Sequence, residues 1–529
     1  MIEKSGISPP AEPGKSNSEH MLSTARARIF FREAPNTVAV AVAGVFLVAL
    51  VFRMLPVSMF PSIVFPDEIF QTLEQAHRLV FGYGSVPWEF QYGTRSWLLP
   101  GMLAGLMRVG SWIGNSPVYY LAVIHLALAA VAAGACVCAY LWGRRFYGSW
   151  GGVIAAVLPV FWPDNVYFGA RTLSECVAAP LLVIAIYAAE PGYRVESKRR
   201  LAIAGALLGL AVAIRLQVAP AAAVVLLWTA FDMPSQRLVP IIAGMSGVLL
   251  AAGMIDAVTW GYPFASMWRN VEYNLLFGVS NSFGDQPWYF YPYWLLYYWN
   301  VFVIVIPLLA FYGARRVPSV VLASAAIFLA HSLISHKELR FIYPAVLLLT
   351  IASGVGAARI FSWVEGNYET YTTSIAVILV LMVTLSAAFV GFLQPYTGRW
   401  RRGHQAIEAD LFVSRLKSAC GVGIWGGFAG EKYFIPNGKA TITDGGYAGQ
   451  TYLHRNVPVY MLTDAADVAT YRPDFNILVT TATPVPYGFG IDACFGGICV
   501  SQRPGNCEVK QPKPILGLPS GVKTELQQR

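Results

Sequence analysis

Charge is what this chain has least of. Only 13% of its 529 residues are Asp, Glu, Lys or Arg, against roughly 25% in an ordinary soluble domain. A protein soluble along its whole length is thereby excluded. Polar composition is also scant: 56% of the residues are hydrophobic and the mean hydropathy is +0.52, which excludes a disordered chain. Basic clusters are missing. The net charge of +9 is scattered between apolar runs, whereas nucleic-acid binding gathers positive charge on one face. Cysteine is sparse and uneven: of seven, Cys420, Cys494, Cys499 and Cys507 lie near the C-terminus. Their spacing matches no standard zinc motif. In an oxidising compartment one or two disulfides are expected, with Cys494 and Cys499 the nearest pair.

What is present is a series of apolar runs of about 20 residues, the length that crosses a bilayer. About eleven spans are expected, near 37–55, 117–142, 148–162, 173–189, 200–216, 217–231, 238–258, 291–313, 317–335, 340–362 and 372–394. No small-residue cleavage site follows the first, so it reads as a span rather than a signal peptide. Arg26, Arg28, Arg32, Arg144, Arg145, Arg194, Lys198, Arg199, Arg200, Arg237, Arg315 and Arg316 all fall on one side. The positive-inside rule makes that side cytoplasmic. The N-terminus is then inside, and the segment from Pro395 outside. Three parts are expected: a disordered cytoplasmic tail (1–36), a membrane domain (37–394) and a soluble extracytoplasmic domain (395–529). In the last, β-like runs at 421–425, 457–461 and 475–480 alternate with Gly/Pro turns, after an amphipathic helix near 404–418. The fold class is an all-α polytopic membrane protein with a small C-terminal soluble α/β domain.

The long outer loops carry the chemistry. The first reads FPDEIFQTLEQAHRLVFGYGSVPWEFQYGTRSWLLP, from Phe65 to Pro100. Pro66 suits the first position of a helix, with Asp67 and Glu68 in its first turn. Ile69, Phe70, Leu73, Ala76 and Val80 form the apolar face of a helix lying along the membrane surface. Acidic residues at a helix start can be purely structural. The other reading is a general base just outside the first span.

PDEIFQTLEQAH, followed by FGYG, WEF and TRSWLLP, resembles the first lumenal loop of the glycosylphosphatidylinositol-anchor mannosyltransferases. These belong to glycosyltransferase family 22, which has the GT-C fold. ARTLSE (170–175), AIRLQVAP (213–220), the Asn-rich loop RNVEYNLLFGVSNSFGDQPWYFY and SHKELRFIYP (335–344) resemble that family's later motifs, in order and all on the outer side. Glu175 and Tyr289 depart from it, standing where the family has an Asn-type residue and a His.

The resemblance implies transfer of a hexose, mannose first, from a polyprenyl-phosphate donor to a lipid-linked glycan or glycolipid acceptor, with inversion. It implies no metal or other cofactor. Such a displacement needs a base on the acceptor hydroxyl and cations at the departing phosphate. Asp67 is the expected base and Glu68 its alternative; neighbouring helical residues point about 100° apart, so one of them faces the site. His336, Lys337, Arg340 and Arg215 are the expected phosphate ligands. Arg95, Arg171, Glu338 and Trp288 are expected around the substrates. The partners implied are the donor, the acceptor and membrane lipids. The Ala/Gly/Val-rich spans suit a bacterial inner membrane; in a eukaryote the same face would be the ER lumen. A transporter or flippase of lipid-linked sugars would share the hydropathy, but would show inverted repeats and mid-span acids, which the sequence lacks.

Overall fold

The structure is a computed structural model that describes residues 35–191, 197–231, 234–426, 446–462, 464–481 and 488–508. The N-terminal tail with Arg26, Arg28 and Arg32, and also Arg194, lie outside the described residues. The chain divides into two units, 1–44 and 45–529. The described part of the first is helical, within Pro35–Met59. Apart from this first helix, which runs from one unit into the other, all that follows concerns the second.

Five helices are long and apolar enough to cross a membrane among the described residues, Asn36–Met59, Pro117–Phe161, Gln236–Trp260, Leu339–Asn367 and Thr372–Phe392. A sixth candidate is the bent pair Phe290–Trp299 and Phe302–Gly313, which turns by 104°. The bend falls at Asn300, a non-glycine residue with φ of 54°. Shorter apolar helices occupy Leu98–Ile113, Ser174–Ala189, Leu216–Ala230 and Pro318–Ser332.

The 45-residue helix Pro117–Phe161 is two expected spans in one. Tyr147 and Gly148 leave the helical region, Gly148 with φ of 72°. A Cβ on Gly143 would meet the Gly151 carbonyl at 2.3 Å, and one on Gly152 would meet the Tyr140 ring. Residues eight or twelve apart cannot touch along one helix at 1.5 Å per residue. The chain therefore reverses here, and the two arms run antiparallel. Helix Leu98–Ile113 lies in what the sequence suggests is loop, because its 16 residues are too few to cross a bilayer.

Glycine sets the closest helix crossings. A Cβ on Gly205 would lie 1.9 Å from the Ile241 carbonyl, and one on Gly244 would lie 1.9 Å from that of Ala202. Helices Lys198–Ile214 and Pro234–Trp260 thus meet backbone to backbone, as small residues allow in membranes.

The C-terminal region holds a five-stranded sheet. Strand β1 (Val422–Trp425) pairs in parallel with β2 (Val459–Met461) and with β3 (Ile477–Thr480), Val422 standing opposite Val459 and Ile477. A hairpin of β4 (Gly490–Phe495) and β5 (Ile498–Gln502) adds antiparallel to β3. β3 is buried throughout and β5 nearly so. Cys494–Cys499 bridges the hairpin and Cys420–Cys507 ties the sheet's two ends of chain together. A helix, His404–Val413, precedes the sheet.

Candidate active site

Four segments separated in sequence converge outside the first span: the loop from Phe65, the turn at 170–175, Arg215, and the signature 336–340. Pro66 fixes the first helix start, its carbonyl accepting from the amides of Ile69 (2.9 Å) and Phe70 (3.0 Å). The first turn is π-wide, Ile69–Leu73, an irregularity often found at functional sites. Asp67 and Glu68 then point different ways. The Glu68 side chain is buried and pairs with Arg171 at 3.3 Å. Arg171 also donates to Ser62 Oγ at 2.7 Å and to the Ser62 carbonyl, and lies over the Tyr167 ring. Burial pushes the Glu68 carboxyl up to about 7, against the pull of Arg171. The Asp67 side chain, 21% exposed, takes an ion pair from Arg340.

Arg340 is crowded with acids. Besides Asp67 it donates to Glu338 at 2.8 and 3.1 Å and stands 3.4 Å from Glu175. Burial works against the Glu338 charge, but Arg340 and His336 outweigh it and hold that carboxyl at about 2. His336 bonds Glu338 at 3.3 Å and meets the Gly284 carbonyl at 3.2 Å. Burial opposes its charge; Glu338 and that carbonyl nevertheless raise its pKa. The Lys337 ammonium is buried against the carbonyls of Gln286 (2.9 Å) and Ile334. His336 and Lys337 thus clamp the 284–286 loop onto the signature turn. Trp288, expected near substrate, is 74% exposed, with its ring against Tyr289; the ion cluster does not include it.

Arg215 is buried, 3.6 Å from Glu175 and 3.3 Å from Ser174 Oγ, with its guanidinium over the Phe341 ring. Its Nε, and that of Arg95, are buried without a hydrogen-bond partner among the described residues. Arg95 acts electrostatically on both Arg215 and Glu89. Arg215 and Arg95 thus repel each other, each with one buried N–H left without a partner among the described residues.

Sequence reasoning passed over Glu89. It is buried, accepts from Gln71 Nε2 at 2.7 Å, and is pushed up to about 7 by burial and by the charge of Asp67. Within WEF, one acid in a short helix carries no spacing signal. Gln71 did offer one: it stands four residues after Asp67, on the same helical face. A small void of about 10 Å³, room for about one water, lies among Asp164, Phe168, Tyr298, Leu339, Tyr343 and Arg399, against the buried ion pair of Arg399 with Asp164 at 2.7 Å. Among the described residues no group of three His, Cys, Asp or Glu side chains is placed to hold a metal ion.

The architecture matches known structures. The crystal structure of ArnT from Cupriavidus metallidurans bound to undecaprenyl phosphate is similar at a TM-score of 0.58, with 12% identity, over 90% of this chain and 100% of that one. Its apo state is similar at 0.52, with 14% identity, over 91% of this chain and 98% of that one. The class is thus a membrane-embedded protein of GT-C architecture. Residues 44–399 match the model of the Alg9-like mannosyltransferase family, and the chain belongs to that family of membrane mannosyltransferases. Relatives include GPI mannosyltransferase 3 of Yarrowia lipolytica, 26% identical over 77% of this chain and 76% of that protein. GPI alpha-1,2-mannosyltransferase 3 of Xenopus laevis is 27% identical over 64% of this chain and 65% of that protein.

Proposed function

We propose that this protein transfers mannose from a polyprenyl-phosphate donor to a lipid-linked glycan or glycolipid on the extracytoplasmic face, with inversion and without a metal. The observation that carries the reading is Asp67: a largely buried carboxylate that still reaches solvent, oriented by Arg340, near guanidiniums that each keep one N–H without a partner among the described residues. Asp67 takes the proton from the acceptor hydroxyl as its oxygen attacks the anomeric carbon. The bond from that carbon to the phosphate oxygen breaks, and the polyprenyl phosphate leaves with the electron pair. Attack from the face opposite the leaving group inverts the centre.

We divide the cations by the partners each already has. Arg340 already faces three carboxylates and Lys337 two carbonyls, so Arg340 holds Asp67 while Lys337 and His336 hold the site's wall. Arg215 and Arg95 receive the phosphate. Glu68 and Arg171 brace the helix start.

The test is purified protein with polyprenyl-phosphate-mannose and an envelope glycolipid extract, reading mannosylated product and its anomeric configuration. Transfer with another hexose alone would change the sugar. No transfer, with sugar-lipid movement across vesicles, would favour the transporter class.

A further inference from the structure

We propose that the C-terminal sheet domain is a working part of the transferase, and that buried Glu74 is the positioning residue through which it fixes the helix bearing Asp67. The inference rests on the reading of Asp67 above.

Glu74 stands seven residues after Asp67, about two turns along, and is fully buried. Its carboxylate accepts four hydrogen bonds. Oε1 takes the amides of Ser85 (2.7 Å) and Gln450 (3.1 Å); Oε2 takes the amide and the hydroxyl of Thr451, each at 2.9 Å. Three of the four come from the C-terminal region. All four donors are neutral. Burial raises the carboxyl's pKa, and the donors from Ser85, Gln450 and Thr451 act the other way.

The approach is too close for a side chain. Gly449 has φ of 85°, and a Cβ there would lie 2.9 Å from both Glu74 Oε2 and Ile69 Cγ2. Around this contact, the Tyr447 ring lies 6.2 Å from that of Phe70, and its hydroxyl is 3.2 Å from Ser85 Oγ. His454 Nδ1 lies 3.1 Å from His77 Nε2. The Tyr452 hydroxyl, buried, lies within the fields of Glu68 and Arg171. The inner face of the helix from Phe70 to His77 therefore rests on residues 447–454, which lie beyond the family match at 44–399.

Apolar packing alone would hold two domains together. Four directional bonds to one carboxylate do more: they fix the rotation of the helix about its axis. Asp67 and Glu68 differ by about 100° on that axis, so this rotation decides which of them faces the acceptor. A catalytic group misplaced by 1 Å can cost about 10²-fold.

The variants are E74Q, T451V, T451S and the double E74Q/T451V, in the full-length protein with polyprenyl-phosphate-mannose. E74Q and T451V should lower kcat by about 10- to 100-fold, with the donor KM within about twofold. T451S, which keeps the hydroxyl, should restore most of the rate. The double variant should be no worse than E74Q alone, as coupled partners require. Hydrogen exchange over residues 67–81 should quicken in T451V, a readout that needs no donor. If E74Q does not accumulate, T451V alone decides. Unchanged kcat and unchanged exchange in T451V would overturn the inference. A wild-type protein that transfers no mannose would instead refute the reaction, and the exchange result would still decide the anchor.

Discussion

At the residue scale, two adjacent acids occupy two different environments. Asp67 meets Arg340 and solvent; Glu68 is sealed with Arg171. Asp67→Asn should therefore cost about 10²–10⁴ in kcat, with normal amounts in the membrane. Glu68→Gln should cost less rate and more stability, because it leaves Arg171 buried beside a neutral amide. Turnover and thermal inactivation of both variants check this; a dead Glu68→Gln beside an active Asp67→Asn would move the base one residue along. Glu89 gives a pH test. Its folded pKa of about 7 lies above the ordinary carboxyl value, so between the two the folded state holds a proton that the unfolded state has lost. Stability then falls as pH rises through that window, by at most about 1.4 kcal/mol per pH unit for this group, and levels off above about 7. Glu89→Gln carries no such proton, so its thermal half-life should drop less than the wild type's from pH 5 to pH 8. Equal drops would place the ionisation elsewhere. Arg95→Ala and Arg215→Ala should raise the donor KM, whereas Lys337→Ala should act mainly on the amount of folded protein. Asp67, Glu68 and the 336–340 signature were legible in sequence as dense charge where apolar chain should turn. The division of labour among the cations was not, because it depends on which partner each guanidinium already has, and Arg340 meets Asp67 across 273 residues.

At the element scale, hydropathy located most helices to within a few residues. It failed where length or torsion, not composition, decides. Leu98–Ile113 is too short for the window, and Asn300 breaks a run that is apolar on both sides. The tail strands at 422–425, 459–461 and 477–480 were readable as apolar runs between turns. The hairpin of β4 and β5 was not, since β4 is largely exposed and lacks such a run. Glycine crossings could not be read either, because a glycine in a span looks alike whether it meets lipid or backbone. Gly244→Val puts a branched side chain where the Ala202 carbonyl already stands 1.9 Å from a Cβ. It should sharply reduce folded protein in the membrane. Gly247→Ala, with open space around its Cβ position, should not. Immunoblots of membrane fractions distinguish the two, and equal levels would refute the contact.

At the scale of the whole molecule, three separate features bear on orientation. The short links between spans hold Arg144, Arg145, Lys198, Arg199, Arg200, Arg237, Arg315 and Arg316, which the positive-inside rule assigns to the cytoplasm. The tail carries two disulfides, Cys420–Cys507 and Cys494–Cys499, while Cys136, Cys138 and Cys176 are free and buried in the helices. Disulfides persist on the oxidising side of a membrane. The tail also touches the Asp67 helix through Glu74, so the two lie on the same side whichever side that is. Placing the tail in the cytoplasm would therefore move the active site with it and strand two disulfides in a reducing compartment. The expected outcome is that a reporter active only in the cytoplasm is silent when fused after Arg529. Cys420, Cys494, Cys499 and Cys507 should react with a membrane-impermeant thiol reagent in intact cells or sealed right-side-out vesicles only after reduction. A strong cytoplasmic reporter signal, with the four thiols labelled only after permeabilisation, would reverse the topology and place sugar transfer on the inner face.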